Sequence, residues 1–385
     1  MTTNRKQHLL DTAVSDGAAP FLVAMTANSD GVTWSGASGD AAPGMPAAPE
    51  TVHAIFSMTK AVGSTAAMML IDRDELGIDD PVDAYLPEAR KLRVLDGWDG
   101  DTPRLREPAA MPTIRQLATH TAGLVYEMWS PKIVDWMQRT GHPTVLSGKN
   151  AGLDYALAFD PGTQWGYGIG IDWLGKVVEA VDGRRIDEFL RTEIFEPLGM
   201  HDTSCEVLDH MAPRLASVKV RDKSGAFRDR TVVPPSQPEF YGMGHALYST
   251  PADYLTFLRL FLNRGTLNGN TLLSEAAVEQ MLANSIGDLR ITPMVSVVPA
   301  MSADVDLFPG LSLTHSFGFF RNEDDVPGRR TAGSQGWAGV LNSHYWFDPT
   351  AGLAAVIMTQ ALPFVDPQFM QVYDAFERAV YAEID

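Results

Sequence analysis

Ser57-Met58-Thr59-Lys60 places a hydroxyl and an amine three residues apart. On a helix that spacing puts both on one face, with Cβ atoms about 5–6 Å apart. A serine hydroxyl is a weak nucleophile until a base removes its proton, and a lysine serves once burial and neighbouring positive potential bring its pKa toward neutrality. Phe56 and the run Ala61, Val62, Ala66, Ala67, Met68, Met69, Leu70, Ile71 supply dry surroundings. Unpaired amides at the start of such a helix also point toward any oxyanion formed at the serine. A chain of this size holds about one Ser-x-x-Lys by chance, so a capping Ser57 with a solvated Lys60 is the plain alternative. A solvated lysine fits poorly in a buried apolar helix.

A second group is Tyr167 within Pro161-Gly162-Thr163-Gln164-Trp165-Gly166-Tyr167-Gly168-Ile169-Gly170. Glycines allow close backbone approach to a ligand, and a phenol kept partly ionised by a nearby ammonium could relay a proton between Ser57, Lys60 and the leaving group. The other reading is a structural tyrosine at a loop corner. The glycines do not complete G-x-G-x-x-G, and no strand precedes them. The third group is Gly333-Ser334-Gln335-Gly336-Trp337-Ala338-Gly339-Val340, whose small residues leave edge-strand amides free to complete an oxyanion hole, or simply form a tight turn before a strand. His120 reads as a buried structural histidine. G-x-S-x-G is absent, as is H-E-x-x-H, so neither a nucleophile elbow nor a metal centre is expected. Trp129, Trp136 and Met128 read either as acyl-pocket lining or as ordinary core.

These groups need elements to carry them. A helix over 8–15 is followed by strands Phe21–Ala27 and Val32–Gly36 around the turn Asn28-Ser29-Asp30-Gly31, a hairpin pattern. Ser57 to Asp72 reads as a helix buried on most sides. Between 75 and 240, proline- and glycine-punctuated helical pieces are expected at 113–119, 155–159, 171–181 and 186–193. Helices follow over 250–263 and 274–282, strands over 315–321, 343–347 and 353–358, and a last amphipathic helix over 367–382. Strands at both ends around a helical middle predict an α/β (α+β) chain with an antiparallel sheet flanked by helices. Residues 1–74 and 241–385 would form a discontinuous α/β domain and 75–240 a mostly helical one, with the active site between them.

The chain has 385 residues, 45% hydrophobic and 20% charged, a composition far from that of disordered chains. Its net charge of −18 would repel phosphate backbones and anionic lipid surfaces, so neither nucleic acid nor membrane is an expected partner. One cysteine, Cys205, cannot form an internal disulfide or a thiolate zinc site. With no apolar signal core in the first residues, a cytoplasmic location is expected. No apolar stretch reaches the ~18 residues of a membrane helix. No cofactor is expected.

Taken together the motifs resemble the serine β-lactamase and penicillin-binding-protein superfamily, whose Ser-x-x-Lys matches Ser57–Lys60 and whose second-motif tyrosine matches Tyr167. The segments Leu117-Ala118-Thr119-His120-Thr121-Ala122-Gly123-Leu124, Pro161-Gly162-Thr163, Leu174-Gly175 and Ile194-Phe195-Glu196-Pro197-Leu198-Gly199-Met200 look like its class C-like branch. The resemblance implies a β-lactamase-like fold and catalysis through an acyl-enzyme on Ser57. Where lactamases carry Lys-Thr-Gly, this chain has Trp337-Ala338-Gly339, as family VIII carboxylesterases have Trp-x-Gly, and Ile169 replaces the second-motif Asn or Ser. Both departures favour neutral, apolar esters over lactam anions. By the family's geometry, the oxyanion amides would be those of Ser57 and Val340. The 165–175 segment also resembles lovastatin-type acyltransferases, and motifs cannot separate transfer to an alcohol from hydrolysis. The expected function is therefore carboxylester hydrolysis on a small-molecule ester. The alternatives are acyl transfer, β-lactamase or D-amino-acid peptidase activity, and a non-catalytic binding relative.

Overall fold

In the computed structural model, which describes residues 3–384, the strand Phe21–Ala27 is buried along its whole length. Its seven apolar or small residues have partners on both faces. Leu22 and Ala24 pack under the helices Thr3–Ser15 and Pro367–Tyr381, while Met25 and Ala27 join the larger core on the other side. Met1, Thr2 and Asp385 lie outside the described residues. Asn28 closes the first hairpin by accepting the Asp30 and Gly31 amides on its side-chain oxygen, the Asx turn expected of such a tetrapeptide. The second strand runs on to Ala42, beyond the expected Gly36, paired from Phe21↔Gly39 to Thr26↔Trp34.

The strand Phe21–Ala27 pairs antiparallel with Leu353–Met358, bringing the two ends of the chain together. The result is an eight-stranded antiparallel sheet, ordered 313–315, 320–322, 335–339, 343–348, 353–358, 21–27, 32–42, 45–46. This is the expected antiparallel sheet flanked by helices. Against its inner face lies the helix Thr59–Asp72, buried from Thr59 to Leu70, beside the helix Pro251–Leu262, which Thr250 caps and Pro251 opens. Crossing Thr59–Asp72 is the helix Gly170–Asp182. A Cβ at Gly63 or at Gly175 would come within 2.7 Å of the Met243 side chain, so both glycines make room for Met243 between the two helices.

Residues 75–240 form helices and short 3-10 turns, together with two hairpins that a mostly helical reading leaves out, Val94–Asp99 with Thr102–Arg106 and Lys219–Arg221 with Phe227–Asp229. The helix Pro131–Thr140 also went unpredicted, although Ser130 caps it and Pro131 opens it. The 155–159 piece is extended, not helical. Its backbone is taken by neighbours: the Leu157 amide donates to Arg93 O, the Leu157 carbonyl accepts from Leu95, and Ala158 donates to Gly123 O. Five residues before Asp160-Pro161 offer too few internal bonds to compete. The 186–193 piece divides into the helix Ile186–Leu190 and a π-helical stretch Arg191–Phe195. The expected strand over 315–321 is two, Leu313–His315 and Phe320–Asn322, folded at Ser316–Phe319, where Gly318 takes a positive φ of 95° against Ser64. No described helix is long and apolar enough to cross a membrane.

Candidate active site

Phe56, immediately before the candidate nucleophile, has φ 42°, a left-handed conformation that costs a bulky residue about 1–3 kcal/mol. The turn is held from several sides. Ile55 donates to Leu247 O at 3.0 Å, the Thr59 hydroxyl accepts the Leu247 amide at 3.1 Å, and the Tyr254 phenol donates to Met58 O at 2.8 Å. Ser57 therefore stands half-buried on a 3-10 turn, Phe56–Met58, and the α-helix begins at Thr59, two residues later than expected.

Lys60 lies in the first turn of that helix and is 2% exposed. Its ammonium donates to Ser57 Oγ at 3.3 Å, to the Tyr126 phenol at 3.0 Å and to the Gly244 carbonyl at 2.8 Å. Burial lowers its pKa from 10.5 to about 7, against the opposing charge of Asp172. A pKa lowered toward neutrality leaves free amine available beside Ser57, which meets the requirement for a general base.

Tyr167 reaches the same point by a backbone route. A Cβ at Gly168 would fall 1.7 Å from Leu124 O and one at Gly170 2.5 Å from Leu117 O. The glycines thus admit the chain's own 117–125 segment, and not a ligand as their spacing first implied. The Tyr126 amide donates to Tyr167 O at 3.0 Å and the Ile169 amide to Leu124 O at 2.9 Å. This short ladder sets the two tyrosine rings 5.3 Å apart. Tyr126 was not anticipated, since nothing but this non-local pairing brings it to Lys60.

The Tyr167 phenol oxygen accepts the Trp337 indole N–H at 2.9 Å. Burial pushes its pKa up, and the Ser57 hydroxyl and Trp337 indole oppose this only in part, so Tyr167 is a protonated phenol. The partly ionised phenol read from the sequence is thereby corrected. Lys60 lies over the Tyr167 ring, 4.9 Å from its centroid, and gives its phenol-directed hydrogen bond to Tyr126. His120 is structural, as read. It adopts φ 59°, accepts the Gly168 amide at Nδ1 and packs edge-on to Tyr167. Burial, helped by His315 and Lys60, holds its pKa well below 6.5.

The strand Gln335–Gly339 passes close to the nucleophile: a Cβ at Gly339 would sit 2.4 Å from Ile55 O. Trp337 and Gly339 share one strand face. Ala338 points to the other, where its partner His344 packs on Phe369 and Tyr373 of the last helix. Ala338 can thus serve the site only through its backbone, and Val340 follows at the strand's end. Trp129 stands 5.5 Å from the Tyr167 ring, and Met128 O accepts the Val297 amide. Trp136 instead stacks on His142 and Tyr155, in the core away from Tyr167. Beside Trp337 lies a small cavity of about 110 Å³, lined by Met294, Phe308, Leu313 and Phe320 but also by Thr292 and Asp306. A larger groove of about 800 Å³ over Arg185, Glu206 and Tyr241 includes none of the residues around Ser57. Among the described residues no His, Cys, Asp or Glu cluster is disposed to hold a metal.

Known proteins share this arrangement of chain. Monacolin J acid methylbutanoyltransferase of Aspergillus terreus is 29% identical over 356 residues, 87% of this chain and 83% of that one. Lovastatin esterase of Penicillium rubens is 28% identical over 342 residues, 85% and 84% of the respective chains. The structure of simvastatin synthase from Aspergillus terreus (LovD6 mutant) superposes with a TM-score of 0.86 at 26% identity, covering 100% of this chain and 95% of that one. The family profile described as Beta-lactamase matches residues 7–377, and the chain belongs to the beta-lactamase family.

Proposed function

We propose that this protein is a serine carboxylesterase that cleaves small neutral esters through an acyl-enzyme on Ser57. The observation that carries this reading is the contact of Lys60 Nζ with Ser57 Oγ, in a pocket dry enough to bring the amine near neutrality. Ser57 Oγ bonds to the ester carbonyl carbon while its proton passes to Lys60. The tetrahedral oxyanion faces the Ser57 and Val340 amides. The C–O bond to the alcohol then breaks, and the leaving oxygen takes the proton held by Lys60 while the neutral Tyr167 phenol donates a hydrogen bond to it. Water next attacks the acyl carbon and gives a proton to Lys60, the bond between the acyl carbon and Ser57 Oγ breaks to release the acid, and Lys60 returns the proton to Ser57 Oγ.

The site is assigned to Ser57, Lys60 and Tyr167, with Trp337, Gly339 and Val340 forming the strand side. It lies where 57–60 and 335–340, from the discontinuous 1–74 and 241–385 portion, meet 126 and 167 from the 75–240 portion. Trp337, which brings no charge, favours a neutral ester group. Cys205 is buried and unpaired, which suits the cytoplasmic setting we infer. Acyl transfer is the second reading, favoured by the aromatic rings of Trp129, Tyr167 and Trp337 packed together at the site and by the transferase among the relatives. A panel of esters varying in acyl and alcohol size, assayed with and without a competing alcohol, tests both. Free acid as the product in either condition supports hydrolysis, and a new ester formed from the added alcohol supports transfer. No turnover of any ester would contradict the proposal.

A further inference from the structure

Asp172 is fully buried in the first turn of the helix Gly170–Asp182. One carboxylate oxygen accepts the Gly244 amide at 2.9 Å, and the other has no hydrogen-bond partner. A buried acceptor left unpaired is costly, and a fold retains one where it serves a further purpose. The carboxylate faces the turn 242–245, which Met243 anchors between Gly63 and Gly175. A Cβ at Gly244 would lie 2.5 Å from the free Asp172 oxygen and 2.9 Å from the Tyr126 phenol, so the carboxylate, the phenol and the turn converge on one point. The carbonyl of that same Gly244 accepts from Lys60.

The hydrogen count at Lys60 then has a consequence. The ammonium has three N–H groups and three acceptors, Ser57 Oγ, the Tyr126 phenol and the Gly244 carbonyl. The neutral amine has two N–H groups and one lone pair. The Gly244 carbonyl can only accept, so one N–H stays there. With the other on Tyr126, the lone pair faces Ser57. When Ser57 gives up its proton, a full positive charge forms in a site whose other titratable neighbours are the phenols of Tyr126 and Tyr167 and the imidazoles of His120 and His315, all neutral. His245 Nδ1 lies 3.4 Å from the Asp172 oxygen that accepts the Gly244 amide. Among these groups only Asp172 carries negative charge.

We propose that Asp172 is a positioning residue for the general base: it holds the Gly244 carbonyl on Lys60 and balances the ammonium formed when Ser57 is deprotonated. This rests on the assignment of Ser57 and Lys60 as nucleophile and base. The test is the pH profile of kcat/KM on a chromogenic short-chain ester for the parent and for Asp172→Asn, whose amide oxygen can still accept the Gly244 amide. The parent profile should rise through pH 7. In the variant the rise should move about one unit toward acid, since a nearby opposite charge is worth one to three pKa units, and the plateau should fall about tenfold. A purely structural role would lower activity at every pH without moving the rise, and that outcome, or an unchanged profile, overturns the proposal. If Asp172→Asn does not melt cooperatively, Asp172→Ser is read instead by the pH dependence of fluorophosphonate labelling, with the same shift expected. A chain that folds with neither residue at 172 assigns Asp172 to the fold and overturns the proposal. Turnover that persists in Ser57→Ala would instead reject the assignment of the site itself, which separates the two failures.

Discussion

The indole N–H of Trp337 donates to the phenol oxygen of Tyr167 at 2.9 Å, with both rings buried. Trp337 stands where lactamases carry the lysine of Lys-Thr-Gly. An indole brings no charge, but it occupies one acceptor position of the phenol and turns the remaining hydrogen and lone pair toward Ser57. In the proposed mechanism it orients the Tyr167 phenol, where a lysine would greet an anion.

Trp337→Phe keeps an aromatic ring, removes the donor and leaves a small gap. A neutral hydrogen bond is worth about 0.5–1.5 kcal/mol, and 1.4 kcal/mol is tenfold in rate. We expect kcat on a chromogenic ester to fall about three- to tenfold, at temperatures where the variant, which melts a few degrees lower, is still folded. An unaltered kcat would show that the indole N–H does not orient Tyr167.

The stability of Lys60→Met relative to the parent should depend on pH. The folded pKa of Lys60, about 7, lies below its ordinary 10.5. Between these values the unfolded chain holds a proton that the folded chain lacks, so the parent's stability rises with pH across this window. The burial penalty is complete below pH 7 and gone above pH 10.5. The melting temperature of Lys60→Met relative to that of the parent should therefore be highest near pH 6 and fall toward pH 10. A difference constant with pH would mean that Lys60 is not the depressed group described here.

The parts of this site that declare themselves by residue type were legible in the sequence. Ser57 and Lys60 share a helical spacing, Tyr167 is fenced by glycines, and Trp337 and Gly339 precede a clear strand. The strands Phe21–Ala27 and Leu353–Met358 were equally plain as bounded apolar runs. What escaped depends on pairing between distant segments. Tyr126 reaches Lys60 only through the ladder joining 124–126 to 167–169. Gly244 contributes a backbone carbonyl, which leaves no mark in a sequence, and the role of Asp172 emerges only with that carbonyl. The break within 315–321 was masked by the aromatic residues Phe317, Phe319 and Phe320, with Gly318 its clearest sign.

Nitrocefin should be hydrolysed far more slowly than short-chain esters. With Trp337 in place of a lysine and Ile169 in place of Asn or Ser, the site offers a lactam carboxylate neither charge nor side-chain amide. A nitrocefin kcat/KM rivalling that for esters would contradict the reading of both positions.

The central claim is a covalent acyl group on Ser57, and intact-mass spectrometry of the protein quenched during ester turnover tests it most directly. The account predicts a mass increase equal to one acyl group, mapped by peptide digestion to Ser57, and no adduct or turnover in Ser57→Ala. Full ester hydrolysis by Ser57→Ala, or an adduct on a different residue, would contradict it.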